Sequence, residues 1–176
     1  MSGLDLIAIV FGVILFFALF THAYASVIAA PWVPTRKKDY HRIIQALGPL
    51  TNETIADLGA GGGGVMRAIG RRYPQVKMVG YEISLPAWCV AAWLNGVSGL
   101  GKRCEIRLKN FFNEDLSEFD IIYCFLTPMA MKKLQGKFTR ELKPGTKVVS
   151  YAFLIPGWEG TALRAPGKVP IFVYQR

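Results

Sequence analysis

The chain has 176 residues, 52% of them hydrophobic and 19% charged, with a formal net charge of +9. That apolar content excludes a disordered chain, and the length accommodates one domain with an appendage but not a two-domain dinucleotide enzyme. The three cysteines, Cys89, Cys104 and Cys124, have no paired spacing, so neither a disulfide framework nor a metal site is expected.

In chain order the first feature is the stretch from Leu6 to Trp32, which contains no Asp, Glu, Lys or Arg. As a helix it would reach ~40 Å, against a hydrocarbon core of ~30 Å. Tyr24 and Trp32 suit an interfacial belt, and Arg36-Lys37-Lys38 follows at once, which places this end on the cytoplasmic side. Residues 1–30 are therefore expected to be a single-pass transmembrane anchor in the lipid bilayer, with the rest of the chain cytoplasmic. The rival is a cleaved signal peptide, because Ala23-Tyr24-Ala25 resembles a small-x-small cleavage site. Against it, no Lys or Arg precedes the run, and the run resumes with Val27-Ile28-Ala29-Ala30.

All 21 lysines and arginines lie at or beyond Arg36, with all but one of the 12 acids. Beside a membrane, a basic domain is explained first by attraction to anionic head groups. Its cations fall in short clusters, Arg71-Arg72, Lys102-Arg103 and Lys132-Lys133, with no regular aromatic array, so no specific nucleic-acid partner is expected.

Residues 31–50 read as a connector and a first amphipathic helix. Pro31 and Pro34 enforce an extended segment, and a helix over 37–47 sets Tyr40, Ile43, Ile44 and Leu47 on one face before Gly48-Pro49 stops it. From 51 to 176, strands and helices alternate. Strands are expected over 54–57, 77–82, 103–108, 120–126 and 147–154, helices over 65–72, 86–95 and 129–142, and a last antiparallel strand over 171–174. Such alternation gives a parallel Rossmann-like α/β sheet with helices on both faces, and ligands then bind beyond the carboxyl ends of its strands. Asp57, Glu82, Asn110 and Thr127 all fall just beyond such ends.

The densest signal is Asp57-Leu58-Gly59-Ala60-Gly61-Gly62-Gly63-Gly64, followed one strand later by Gly80-Tyr81-Glu82. A glycine loop between strand and helix lets backbone approach a ligand and aims helix N–H groups at it. An acid ending the next strand can accept hydrogen bonds from a ribose diol. The loop satisfies both the dinucleotide pattern, Gly59-x-Gly61-x-x-Gly64, and the pattern Asp57-x-Gly59-x-Gly61-x-Gly63 of S-adenosylmethionine (SAM) enzymes. Asp57 favours SAM, because a carboxylate there can meet the ammonium of a methionine moiety and would repel a pyrophosphate.

These residues resemble the membrane-anchored class I SAM-dependent protein-lysine methyltransferases related to the enzymes that modify the adenine nucleotide translocase and the ATP synthase c-subunit. Ala30-Pro31-Trp32-Val33-Pro34-Thr35 is similar to the family's segment joining anchor to catalytic domain. Asp57 to Gly63 is similar to its SAM loop, Gly80-Tyr81-Glu82-Ile83 to its ribose-binding strand end, Phe125-Leu126-Thr127-Pro128-Met129 to its strand-four motif, and Phe153-Leu154-Ile155-Pro156-Gly157-Trp158 to its aromatic-proline segment. The chain departs from the family pattern at Gly62 and Gly64, where an acid and an arginine are usual, and at Asn110-Phe111-Phe112. The resemblance implies a SAM-dependent methyltransferase domain over 51–176 that acts on a lysine of a membrane or membrane-associated protein. It implies a cofactor site of Asp57, Gly59, Ala60, Gly61, Gly63, Glu82, Ile83, Asn110 and Phe111. It implies a substrate pocket of Pro34, Thr35, Thr127, Pro128 and Trp158. Trp32, Tyr81, Phe111, Phe112 and Trp158 are candidate walls of an apolar lysine channel, and no residue is required as a general base. Two alternatives stay open: methylation of a lipid, quinone or other small molecule at the membrane, and a non-catalytic module that binds SAM or NAD.

Overall fold

In a computed structural model of the chain, residues 2–28 and 33–176 are described. Pro31 and Trp32 lie outside the described residues, and with them part of the expected connector and one candidate channel wall.

The strands are β1 (Thr54–Leu58), β2 (Lys77–Glu82), β3 (Cys104–Leu108), β4 (Ile121–Cys124), β5 (Lys147–Tyr151), β6 (Thr161–Leu163) and β7 (Ile171–Gln175). They form one sheet in the order β3-β2-β1-β4-β5-β7-β6. The first five are parallel, and β7 runs antiparallel to both β5 and β6. β1 pairs with β2 on one side and β4 on the other, so strand order reverses at β1 and a crevice opens beyond its carboxyl end.

The helices are α1 (Gly3–Ile28), α2 (Tyr40–Leu47), α3 (Gly64–Arg72), α4 (Leu85–Val97) and α5 (Pro128–Glu141). The sheet carries one apolar core on each face. On one, Ile43 and Leu47 of α2 and Val65, Met66 and Ile69 of α3 pack with Ile55, Met78, Tyr123 and Val149. On the other, Met131, Leu134 and Phe138 of α5 pack with Leu58, Ile122, Val148 and Phe172. The α2 stripe is as its spacing required, with Tyr40 and Ile44 packed at the margin.

The boundaries differ from the sequence expectation for local reasons. Residues 37–39 form a 3-10 turn instead of a first α-helical turn, with Asp39 N–H donating to Arg36 O at 2.9 Å. β4 ends at Cys124, short of the expected 126, because Pro128 holds Thr127 extended as the N-cap of α5. β5 ends at Tyr151, short of the expected 154, because Ala152 takes a left-handed conformation, φ 76°, and turns the chain away.

The long apolar run becomes α1. A reciprocal cap starts it: Asp5 N–H donates to Ser2 Oγ at 3.2 Å and Ser2 N–H donates to Asp5 Oδ2 at 2.7 Å. Gly3–Thr21 is long and apolar enough to cross a membrane, and none of that window is buried within the protein. The helix meets the domain at α4, where Leu85 N–H donates to Thr21 Oγ1 at 3.2 Å.

Candidate cofactor and acceptor cleft

A cleft of about 240 Å³ opens beyond the carboxyl ends of β1, β2 and β4. Its floor is the glycine loop. Gly59 has φ 77°, and its N–H and that of Ala60 both donate to Tyr81 O at 3.0 Å, which folds the loop back over the end of β2. A Cβ at Gly59 would stand 2.9 Å from Leu126, so the position requires glycine both for its φ and for space.

Glu82 ties this loop to its own strand end. Its Oε2 accepts from Gly61 N–H at 2.8 Å, and its Oε1 accepts from Ile83 N–H at 2.9 Å and Ser84 N–H at 2.7 Å. A carboxylate offers about four acceptor positions, so one remains on Oε2 towards the cleft. Asp57 lies at the end of β1 and is 3% exposed. Burial, and after it the neighbouring Glu82 carboxylate, push its carboxyl up to about 8. A cation placed beside Asp57 would relieve both effects.

The other half of the cleft is built from Val33, Pro34, Thr35, Tyr40, Tyr123, Phe125 and Leu126. Thr35 Oγ1 and the Tyr123 hydroxyl lie 3.2 Å apart. Burial, followed by the Asp57 charge, raises the Tyr123 phenol well above its ordinary value, so it stays protonated at neutral pH. Tyr40 also closes over the loop. A Cβ at Gly64 would collide with its hydroxyl, so glycine at this position lets Tyr40 approach the loop. Arg67, one turn further, donates from Nη1 to Gly62 O at 2.7 Å and to Asn95 Oδ1 at 3.0 Å, fastening the loop to α4.

Of the residues singled out in the sequence, Asp57, Gly59, Ala60, Gly61, Glu82, Ile83, Phe111, Pro34 and Thr35 line this cleft. Five do not. Gly63 is the left-handed N-cap of α3, φ 70°. Asn110 uses its side-chain oxygen to accept from Phe112 N–H at 3.0 Å, capping the short turn that holds Phe111 in place. Thr127 caps α5 by accepting from Ala130 N–H at 3.3 Å, and Pro128 is the first residue of that helix. Trp158 packs against Phe138 and Tyr174, with ring centroids 6.1 Å from each, on the α5 side of the sheet. It borders a separate shallow depression with Gly157, Glu159, Gln175 and Arg176. Of the other expected walls, Phe112 leans on Phe111 with ring centroids 4.5 Å apart, and Tyr81 borders the cleft while its ring packs edge-on against Phe119.

Residues 57–162 match the ANTKMT methyltransferase domain. A protein-lysine N-methyltransferase of Saccharolobus islandicus (strain REY15A) is 34% identical over 73% of this chain and 80% of that one. The chain belongs to the ANTKMT methyltransferase domain family. The human ATP synthase c-subunit lysine N-methyltransferase is 24% identical over 84% of this chain, which spans 62% of that longer protein. Among solved structures, an RNA methyltransferase from Salinibacter ruber in complex with S-adenosyl-L-homocysteine superposes with a TM-score of 0.76. It is 26% identical and covers 81% of this chain and 93% of that one.

Membership identifies the domain as a SAM-dependent methyltransferase of class I fold, and the cleft fits that cofactor. Side chains at Gly59 and Gly64 would crowd Leu126 and Tyr40, the spare acceptor position of Glu82 suits a ribose diol, and buried Asp57 suits an ammonium. Tyr40, Tyr123, Val90 and Leu94 line the cleft without having been singled out in the sequence. Tyr40 was legible only as part of the α2 stripe. Tyr123 sits in a strand that is apolar throughout, where alternation gives no sign of which face a residue takes.

Proposed function

We propose that this protein transfers the methyl group of SAM to the ε-amine of a lysine on a bilayer-embedded protein. The observation that carries the reading is a single cleft whose cofactor half, Asp57, Glu82 and the glycine loop, adjoins a half lined by Val33 to Thr35. Val33 to Thr35 follow the apolar helix α1 in the chain. Relatives named as lysine methyltransferases, among them ones named for the ATP synthase c-subunit and for the adenine nucleotide translocase, support lysine as the acceptor. The run Arg36-Lys37-Lys38 after α1 supports a cytoplasmic domain.

When bound, SAM supplies a methyl group already activated on a sulfonium, so the protein's task is to position and desolvate the acceptor. The amine must be neutral. With a reference pKa near ~10.4, deprotonating it at pH 7 costs roughly 4–5 kcal/mol. Val33, Phe125 and Leu126 disfavour the cation and lower that cost. The proton leaves to water at the cleft mouth before the amine enters. The Thr35 and Tyr123 hydroxyls then orient the amine as hydrogen-bonding partners. Tyr123 does not act as the base, because burial keeps its phenol protonated.

The test uses membranes from cells lacking the protein, purified full-length enzyme and methyl-labelled SAM. Label recovered as methyl-lysine after protein hydrolysis is the expected result. Label in the lipid extract with none in protein would overturn it. One observation favours a second reading, RNA as acceptor: the likeness to the Salinibacter ruber RNA methyltransferase. The end of β4 here reads Leu126-Thr127-Pro128, without the Asn/Asp-Pro-Pro-aromatic motif that suits exocyclic base amines. A parallel incubation with total RNA separates the two.

A further inference from the structure

We infer that the outward face of α4 is a second membrane contact, an in-plane interfacial helix that holds the mouth of the cleft against the lipid head groups. The inference rests on the proposed transfer to a bilayer-embedded acceptor and adds how that acceptor is met.

No charged residue occurs from Ile83 through Gly101, the stretch that contains α4. The inward face of the helix, Ala87, Ala91 and Asn95, is fully buried on the domain. The outward face is apolar yet uncovered: Trp93 and Val97 are each 66% exposed and Val90 38%, with Cys89 beside them. Thirteen residues of helix measure roughly 20 Å, too short to cross a core of ~30 Å, so a membrane-bound α4 lies along the surface.

The place of α4 relative to α1 names the bilayer as occupant. The spanning window of α1 ends at Thr21, and Thr21 Oγ1 accepts the hydrogen bond from Leu85 N–H at the start of α4. A span that leaves the hydrocarbon near Thr21 therefore sets the first residue of α4 at head-group level. Trp93 on the outward face is the side chain that favours this interfacial depth. Past the end of the helix the rim is basic: Arg71 donates to Ser98 Oγ at 3.4 Å, and exposed Arg72 and Lys102 stand in the adjoining segments. That arrangement complements anionic lipid.

The consequence for the site is direct. Val90 and Leu94 of this helix line the cleft, together with Val33 to Thr35 and Lys37. With α4 on the surface, a lysine on a membrane protein reaches the cleft only if it lies within the head-group layer, so height above the bilayer becomes a selection rule for acceptors.

Cys89 provides the probe, because among the described cysteines it alone is exposed. Full-length protein carrying an environment-sensitive fluorophore on Cys89 is reconstituted in vesicles of phosphatidylcholine and phosphatidylglycerol. Lipids labelled with a nitroxide near the head group should quench it strongly, and lipids labelled at the chain end weakly. Absence of quenching by either overturns the inference, whether a second copy or nothing covers the helix, and this readout does not depend on methyl transfer. In the double variant Trp93→Glu, Val97→Glu, SAM affinity and methylation of a detergent-solubilised acceptor should be unchanged. Methylation of the same acceptor in vesicles should fall about tenfold through lost orientation. Equal losses in detergent and vesicles would overturn the selection rule.

Discussion

Glu82 joins three backbone N–H groups, from Gly61, Ile83 and Ser84, so its carboxylate both shapes the loop and lines the cleft. A hydrogen bond to a charged group is worth roughly 1.5–3 kcal/mol, so Glu82→Ala should weaken SAM and S-adenosylhomocysteine binding about tenfold to a hundredfold in a folded protein. Glu82→Gln, which keeps an acceptor, should lose less, and calorimetric titration checks both. Asp57 makes a different prediction, about protons. Its folded value of about 8 lies above the unfolded value of 3.8, so the ligand-free fold holds this proton more tightly than the unfolded chain does. The stability of ligand-free protein should therefore fall as pH rises through that interval, and Asp57→Asn should flatten the decline in a melting-temperature series. An ammonium beside the carboxyl favours its ionised form. At pH 7, SAM binding should then release about one proton, read by titration in buffers of different ionisation enthalpy, and Asp57→Asn should release none. Equal proton release by wild type and variant would place the ammonium elsewhere.

The strand ends carry the next prediction. Ala152 closes β5 with φ 76° while its N–H donates to Pro170 O at 2.9 Å, so the conformation is held from outside the residue. A left-handed alanine costs about 1–2 kcal/mol, and glycine gives back about 0.5–1 kcal/mol in unfolded-chain entropy. Ala152→Gly should therefore stabilise by about 0.5–1 kcal/mol, seen as a higher urea midpoint at unchanged slope. This turn was not legible in the sequence, because alanine gives no sign of a left-handed residue and the apolar run continues past it to Leu154. The three-residue edge strand β6 was equally hidden, since all three residues are exposed and no alternation marks it. What was legible was a pattern of residue types at strand ends. The glycine loop and the acid ending β2 carry residue types that backbone space and hydrogen bonding demand, and Gly59 to Gly62 and Glu82 line the cleft. Trp158 marks the limit of that reasoning. An aromatic beside Pro156-Gly157 reads as a pocket wall, but which side of the sheet it reaches depends on the path after Ala152, and that path delivers it to Phe138 and Tyr174.

At the scale of the whole molecule, α1 and the methyltransferase domain are separable in their packing. Among the described residues, neither core contains a residue of α1, and the helix reaches the domain through α4 and the Thr21–Leu85 hydrogen bond. The cleft begins at Val33, beyond the end of α1. Deleting residues 1–30 should therefore leave the fold and SAM affinity intact. On the proposed reading, tethering by α1 nonetheless matters to the reaction. A domain held beside the bilayer meets an embedded acceptor at the effective concentration set by a short connector, and such linkage is worth about a hundredfold or more over free encounter. The truncated chain should methylate an embedded acceptor far more slowly than the full-length protein does, while the two should differ little on the same acceptor in detergent. Initial rates measured on both forms of one acceptor decide the matter. If the truncated chain methylates intact membranes as fast as the full-length protein, α1 has no part in choosing the substrate. If fractionation finds the full-length protein soluble, α1 does not span.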